Sequence, residues 1–308
     1  MSLETDLLLD RRRLKRRLIF WRSFAVLAVL AAVLVALRGE LALSFGRAHL
    51  ARLTVSGIIT DDRKLDEAVT RLAANRAVKA LIVVIDSPGG SVAGGEALHG
   101  AIEEVAAKKP VVAVMGGVAA SAGYMIAVPA ARIFAREGTL TGSIGVLLQT
   151  GEVSGLLKSI GVTAEAITSG PLKDQPSFTR PLSPEGRDVL HGIVMDLYDQ
   201  FVGMVASGRH MDAAKVRQLA DGRAYTGRQA LQLGLVDAIG GEHDARLWLA
   251  QAKGIPADLP VDDVSTRGVA AGALAEGFDR ALQFAWKTML SQGVMLDGAW
   301  ALWQRSGG

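Results

Sequence analysis

Apolar β-branched runs alternate with longer amphipathic stretches along most of the chain. The apolar runs predict strands at residues 49–55, 79–85 and 111–115, with weaker candidates at 132–135 and 164–168. The amphipathic stretches predict helices at residues 61–75, 91–107 and 184–208, and a short buried helix at 120–128. In the 184–208 helix, the stripe expected to face the core is Val189, Ile193, Leu197, Phe201 and Val205. This alternation indicates an α/β fold built on a parallel sheet.

A hydrophobic segment near the N-terminus has the length of a membrane span. Residues 19–37 are apolar except for Arg22 and Ser23, and as a helix they would span roughly 28 Å, about the thickness of a bilayer core. Basic residues crowd the preceding flank, which predicts a cytoplasmic segment at 1–18, a transmembrane anchor at 19–37, a linker at 38–49 and an exported body. A cleaved signal peptide is the alternative interpretation.

Composition narrows the possible chemistry. The chain has 308 residues, a net charge of +3 and no cysteine, so thiolate catalysis and cysteine-ligated metals are excluded. The surplus positive charge lies in the first 22 residues, and the nearly neutral remainder argues against a nucleic-acid partner. The sequence contains neither a P-loop motif nor His-Glu-x-x-His, and we therefore predict no cofactor and no metal.

Two glycine-rich segments each follow a predicted strand and precede a predicted helix. The first, Asp86-Ser-Pro-Gly-Gly-Ser91, is predicted to form a turn whose backbone N–H groups could serve as an oxyanion hole. The second contains Gly116-Gly-Val-Ala-Ala-Ser121-Ala-Gly and could present a serine hydroxyl as nucleophile. Taken singly, a plain structural turn and a helix-capping serine explain these segments equally well. Because both segments occur in one chain, the sequence favours an enzyme that catalyses acyl transfer.

A serine nucleophile needs a base to accept its proton. None of the five histidines stands beside either motif, and we expect surface or helix-face positions for them; they are His49, His99, His191, His210 and His243. A lysine can be the base when burial favours its neutral form. Lys173, in a stiff Gly-Pro segment, is a better candidate than Lys158 on a predicted exposed helix face. Spacing alone leaves this choice open.

Several motifs of the chain resemble those of the signal peptide peptidase A family of serine–lysine proteases, in its short single-domain bacterial form. The motifs lie at residues 86–91, 117–124, 139–146, 169–174, 222–230 and 233–237, and the resemblance covers roughly residues 50–255. It implies a ClpP/crotonase-like stack of ββα units for this protease domain. Clp proteases use a histidine about two dozen residues after the serine, and residues 140–150 contain none, which favours a serine–lysine dyad.

The resemblance also implies a role for each site residue. Ser121 would be the nucleophile and Lys173 the general base, while the hydroxyl of Ser143 would orient the lysine. The N–H groups of Gly90 and Ala122 would form the oxyanion hole. In short members of the family the serine and lysine of one site come from neighbouring subunits of a dome-shaped ring. We therefore predict that Ser121 and Lys173 of one chain do not touch.

The predicted transmembrane anchor and the family resemblance together predict a membrane-anchored endopeptidase that degrades residual signal peptides or similar apolar peptides. The homo-oligomeric ring would lie on the exported side of a bacterial inner membrane. A non-catalytic crotonase-like membrane scaffold and an acyl-CoA enzyme on the same fold are the alternatives. Residues 256–308 form a predicted helical tail, rich in tryptophan, that lies outside the resemblance. A helix packed on the body and a membrane-surface helix both suit it.

Overall fold

A computed structural model describes residues 21–23 and 47–265 of the chain. Arg47–Thr266 form one compact unit, and residues 1–46 and 267–308 form a second, of which only the helical residues 21–23 are described. The strands are β1 (His49–Ile59), β2 (Val78–Gly90), β3 (Val111–Ala120), β4 (Arg132–Ala135), β5 (Leu140–Gly142), β6 (Ala224–Thr226), β7 (Ala238–Ile239) and β8 (Val261–Asp263). The helices are α1 (Arg63–Leu72), α2 (Val92–Ala106), α3 (Ala122–Met125), α4 (Ser154–Ser159), α5 (Pro184–Gly208), α6 (Ala213–Leu219), α7 (Gly227–Leu233) and α8 (Glu242–Lys253).

The strands form one mixed sheet in the order β6-β5-β3-β2-β1-β8, and β4 and β7 extend it beside β3. All strand pairs are parallel except β5 with β6. Both faces of the sheet are covered. Leu81 and Ile85 of β2 point into a core with Phe201 of α5, whereas Ile82 packs with Leu249 of α8 on the other face. Burial on both faces explains why these strands are continuous apolar runs, and the predicted α/β class is confirmed.

Strand β3 changes partner halfway along its length. Its first half pairs with β4, and its second half, Val118–Ala120, pairs with β5. Between the halves, the register against β2 jumps from Ile85↔Met115 to Ser87↔Ala119, so extra residues of β3 bulge out. The Asp86 carboxylate accepts the Val118 N–H at 3.0 Å. This bulge bends β3 and directs its C-terminal end, which carries Ser121, away from β4.

Two expectations about local structure are wrong. No strand forms at residues 164–168; this stretch is solvent-exposed, and the sheet edge beside β5 is occupied by β6. The apolar stripe of α5 is buried only toward its C-terminal end, where Phe201 and Val205 reach the core. Val189 and Ile193 are each 48% exposed. Periodicity identified the helix but could not show that its first half extends past the core of its own chain.

The predicted transmembrane anchor at 19–37 lies outside the described residues except for 21–23, and the tail is described only as far as residue 265. Among the residues that the structure describes, no helix combines the length and the apolar character needed to cross a bilayer.

A buried ion pair holds the end of α5 against the sheet. The Arg209 side chain is 8% exposed, and it donates to both carboxylate oxygens of Asp237, at 3.0 and 2.5 Å. Asp237 also accepts the Ile133 N–H at 2.7 Å. Removing one partner of a buried pair leaves the other charge uncompensated. Asp237 therefore acts as a junction between the helix end and β4.

We expect Asp237→Ala to lower the free energy of unfolding by about 3–5 kcal/mol, because it strands the buried Arg209 guanidinium. Urea unfolding of the full chain measures this. Asp199→Ala is the matched control, because Asp199 pairs with Arg217 and both side chains are about half exposed; its expected cost is below about 1 kcal/mol. Equal costs for the two variants would contradict the structural role given to Asp237.

Candidate active site

Ser121 occupies the sharp junction between β3 and α3. Its backbone has φ 54° and ψ −122°, a conformation that residues other than glycine rarely adopt. The Ser121 N–H donates to the carbonyl of Gly142 on β5 at 2.9 Å, which helps hold the strained turn. The half-buried hydroxyl does not cap α3 and makes no hydrogen bond within residues 47–265. A capping role is therefore excluded, and the hydroxyl is free to react.

The glycine segment lies directly against this serine. The segment is not a turn, as the sequence predicted, but the extended end of β2, with Ile58↔Gly89 and Ile59↔Gly90 paired to β1. At Gly89, where φ is +116°, an added Cβ would lie 2.8 Å from the Ser121 Cβ and 3.2 Å from its hydroxyl oxygen. No side chain fits between the two backbones, so glycine at position 89 is what allows them to approach.

The hydrogen bonds of this segment leave the Gly90 amide outside the ladder with β1. Gly89 N–H donates to the Ser87 hydroxyl at 3.1 Å, and Ser91 N–H donates to the Ile59 carbonyl at 2.9 Å. Successive N–H groups of an extended strand point to opposite sides, so the Gly90 N–H points away from β1. The β2–β3 pairing ends at Ser87↔Ala119, so β3 offers Gly90 no ladder partner.

Ala122 supplies a second amide. It is the first residue of α3, whose opening N–H groups have no acceptor inside the helix. Ala122 directly follows Ser121, and Gly90 follows Gly89, whose backbone lies against the Ser121 side chain. The sequence analysis did not identify Ser87 as a residue that shapes this site. Its fully buried hydroxyl bonds both the N–H and the C=O of Gly89, a pairing that only the folded backbone reveals.

Ser143 follows Gly142, the residue that accepts the Ser121 N–H. Its own N–H donates to the Arg223 carbonyl at 2.9 Å, and its hydroxyl donates to the Gly222 carbonyl at 3.2 Å. Nearby, hydrogen bonds from Arg223 lower the pKa of Asp221, and burial raises the pKa of Tyr225. Gly222, Arg223 and Tyr225 belong to the 222–230 motif, which the fold thus brings beside the 139–146 motif.

Lys173, the predicted general base, is solvent-exposed. It lies on a segment, residues 145–183, that contains only the short helix α4, and its backbone N–H donates to Gly170. Within the described residues no hydrogen bond joins Lys173 to Ser121 or to Ser143. The described contacts of one chain therefore bring together Ser121, Gly90, Ala122 and Ser143, and they include no hydrogen bond from Lys173 to any of these residues. The prediction that the serine and lysine of one site come from neighbouring subunits stays a prediction.

α/β serine hydrolases expose their nucleophile on a strained turn between a strand and a helix, with backbone amides beside it. Ser121 occupies such a turn, and its hydroxyl is unbonded in the described residues. Fold and site together define a serine hydrolase of the α/β class. The family model of peptidase family S49 matches residues 103–256. The chain belongs to this family and is a serine peptidase.

Relatives with protease names support the same conclusion. A putative protease of Synechocystis sp. is 42% identical over 213 residues, which cover 69% of this chain and 77% of that protein. A putative signal peptide peptidase SppA of Enterococcus faecium is 38% identical over 64% of this chain and 61% of its own length. Protease 4 of Salmonella typhi is 40% identical over 54% of this chain, but the match spans only 27% of that protein.

Two solved structures resemble the fold at low sequence identity. A ClpP1 mutant from Listeria monocytogenes has a TM-score of 0.42 and 17% identity, covering 63% of this chain and 92% of that one. A mutant of the membrane-bound stomatin-specific protease 1510-N has a TM-score of 0.47 and 16% identity, covering 71% of this chain and 99% of that one.

Proposed function

We propose that this protein is a membrane-anchored serine endopeptidase that cuts signal-peptide remnants or similar apolar peptides. The observation that carries the proposal is the free Ser121 hydroxyl beside the Gly90 and Ala122 amides. Ser121 Oγ attacks the scissile carbonyl, and the two amides stabilise the tetrahedral oxyanion. Water then hydrolyses the acyl-enzyme. The name of the Enterococcus relative supports the substrate class.

Lys173 of a neighbouring subunit is the proposed general base. It takes the Ser121 proton during attack and returns it to the leaving amine. Within the described residues Lys173 is exposed and forms no hydrogen bond with Ser121, which favours a site completed by a second copy. The exposed apolar side chains of the lysine-bearing segment favour the same arrangement, because soluble surfaces seldom expose so many large ones; they include Leu147, Leu156, Ile160, Ile167 and Phe178.

Ser143 is the proposed partner of that incoming lysine. Among the described residues its hydroxyl is bonded only to the Gly222 carbonyl, and it retains lone pairs that can accept from an ammonium group. The ring would sit at the exported face of the bacterial inner membrane, held by residues 19–37. This anchor gives a direct test: the full-length chain should stay in the membrane fraction after washes with high salt and alkaline carbonate, which remove proteins bound only at the surface.

We expect hydrolysis of an apolar fluorogenic peptide by the full-length enzyme to rise steadily from about pH 6 to pH 9, because only the uncharged amine can accept the serine proton. Initial rates across this range measure the effect, with unfolding midpoints at each pH as the control for stability. A flat profile would contradict lysine as the base. Thioester hydrolysis without any peptidase activity would favour the acyl-CoA alternative.

A further inference from the structure

Gly142, the last residue of β5, holds the backbone of Ser121. Its carbonyl accepts the Ser121 N–H at 2.9 Å, just beyond the last β3–β5 pair, Ala120↔Gly142. Gly142 itself has a φ of +75°, in the left-handed region that favours glycine. The direction of its carbonyl therefore depends on what keeps this backbone conformation in place.

The ring of Tyr225 lies directly on Gly142. A Cβ added at Gly142 would stand 2.7 Å from Tyr225 Cδ2 and 3.3 Å from Cε2, so the ring packs against the glycine backbone with no room for a side chain. In the antiparallel pair of β5 and β6, Tyr225 lies opposite Thr141, the neighbour of Gly142. The ring belongs to the main buried core. It therefore limits how far the Gly142 backbone can move toward it.

The Tyr225 ring is itself fixed between two helices. Its hydroxyl donates to the carbonyl of Leu219, the last residue of α6, at 2.9 Å. The next residue, Thr226, caps α7: its hydroxyl accepts the Gln229 N–H at 3.3 Å, and its own N–H donates to the Gln229 side chain at 2.9 Å. A ring whose hydroxyl and backbone are both held is a rigid support for the glycine that it contacts.

Ser143 follows Gly142 and depends on the same segment of chain. Its φ is +48°, which is unusual outside glycine, and its N–H donates to the Arg223 carbonyl at 2.9 Å. Its hydroxyl donates to the Gly222 carbonyl at 3.2 Å. Residues 222–225 therefore support the nucleophile through Gly142 and the proposed partner of the lysine through Ser143.

We propose that Tyr225 is a positioning residue for Ser121 that acts through Gly142, an inference that rests on the proposed peptidase function. The ring sets the place of the Gly142 carbonyl, that carbonyl holds the Ser121 N–H, and the strained turn then presents Oγ to the scissile carbonyl. Tyr225 transfers no proton, because its hydroxyl is bonded to Leu219. A misplacement of about 1 Å can cost about a hundredfold in rate, so loss of the ring should reduce kcat more than it changes KM.

Two substitutions separate the ring of Tyr225 from its hydroxyl. Tyr225→Leu removes the ring, and we expect kcat on an apolar fluorogenic peptide to fall about tenfold to a hundredfold, with KM within about twofold of the wild-type value. Tyr225→Phe keeps the ring but leaves the Leu219 carbonyl without its donor. We expect it to lower the unfolding midpoint while kcat stays near that of the wild type. Steady-state kinetics and thermal unfolding of the full-length protein measure these effects.

Phe134→Leu is the matched control for the loss of a buried ring. Phe134 is 3% exposed on β4 and belongs to the core on the opposite face of the sheet. Its replacement should also lower the unfolding midpoint, because it removes buried apolar contacts. Since β4 pairs only with the first half of β3, we expect kcat to stay near that of the wild type.

A fluorophosphonate probe gives a second readout that needs no peptide. Ser121 Oγ attacks its phosphorus and fluoride leaves, so the labelling rate reports how well the serine is placed. This rate should fall in Tyr225→Leu and persist in Tyr225→Phe.

The proposal is overturned if Tyr225→Leu keeps the wild-type kcat and labelling rate, if Tyr225→Phe loses as much of both as Tyr225→Leu, or if Phe134→Leu loses as much kcat as Tyr225→Leu. Labelling of the wild type without peptide hydrolysis would instead contradict the proposed substrate class, and the labelling rates of the variants would still decide the role of Tyr225.

Discussion

Replacing Ser121 by alanine is expected to lower peptide hydrolysis by at least about 10⁴-fold, because it removes the hydroxyl proposed to form the acyl-enzyme. The residual rate would come from the oxyanion hole alone. Initial rates on an apolar fluorogenic peptide, with the full-length protein in detergent or vesicles, measure the loss.

Lys173→Ala should be similarly inactive. Lys158→Ala is its control, because Lys158 is an exposed lysine of the same segment and should be dispensable.

The two inactive variants offer a sharper result when they are combined. If Ser121 of one subunit uses Lys173 of the next, a ring that mixes Ser121→Ala and Lys173→Ala chains contains some sites with both native residues. In a random equal mixture, about a quarter of the sites are intact in a cyclic assembly. We expect a corresponding recovery of activity after co-expression with two affinity tags and purification on both. Mixed assemblies with no recovered activity would mean that each chain supplies its own dyad.

The second large effect is expected at Gly89. Gly89→Ala should reduce the rate constant for hydrolysis by about a hundredfold to a thousandfold, the range found when an oxyanion donor is lost. The new methyl group would stand 2.8 Å from the Ser121 Cβ and 3.1 Å from the Ala120 carbonyl. The serine and the Gly90 amide cannot then keep their present spacing. Steady-state kinetics should show the loss mainly in kcat.

Gly57 provides the control for backbone strain. It also has a positive φ, +71°, but an added Cβ there meets nothing within 4 Å. We expect Gly57→Ala to cost about 1–2 kcal/mol of stability through the left-handed conformation and to leave the rate of hydrolysis near that of the wild type. If Gly57→Ala inactivates the enzyme as strongly as Gly89→Ala, the effect reflects strand distortion and not the contact with Ser121.

Much of the fold followed from local patterns. The helix predicted at 184–208 matches α5, and the one at 91–107 differs from α2 by one residue at each end, with Ser91 as its cap. These elements were predictable because periodicity and capping act within a few residues of each other. The weak strand at 132–135 is also confirmed. The strand at 164–168 is wrong because a strand needs a neighbouring edge to pair with, and local sequence cannot show which edges are occupied.

The candidate site, like the fold, has features that the sequence could predict and others that it could not. That Ser121 and the 86–91 segment stand at the ends of neighbouring parallel strands could be predicted, because such ends meet at one edge of a sheet. The bulge of β3 at Asp86, the clamp of Ser87 on Gly89 and the partner change from β4 to β5 could not. Each of these features depends on a specific hydrogen bond or on a backbone angle set by packing. The local sequence does not indicate which groups will form that bond or which angle packing will impose.

The amino-acid sequence by itself determined the α/β class, the serine-centred chemistry and the absence of cysteine chemistry, since residue type and local periodicity carry this information. Only the tertiary structure decided that the glycine segment is strand and not turn, and that the serine hydroxyl has no hydrogen bond among the described residues. Those features depend on which backbone groups find partners, and hydrogen-bond pairing is settled by the whole sheet together, not by any one stretch of chain.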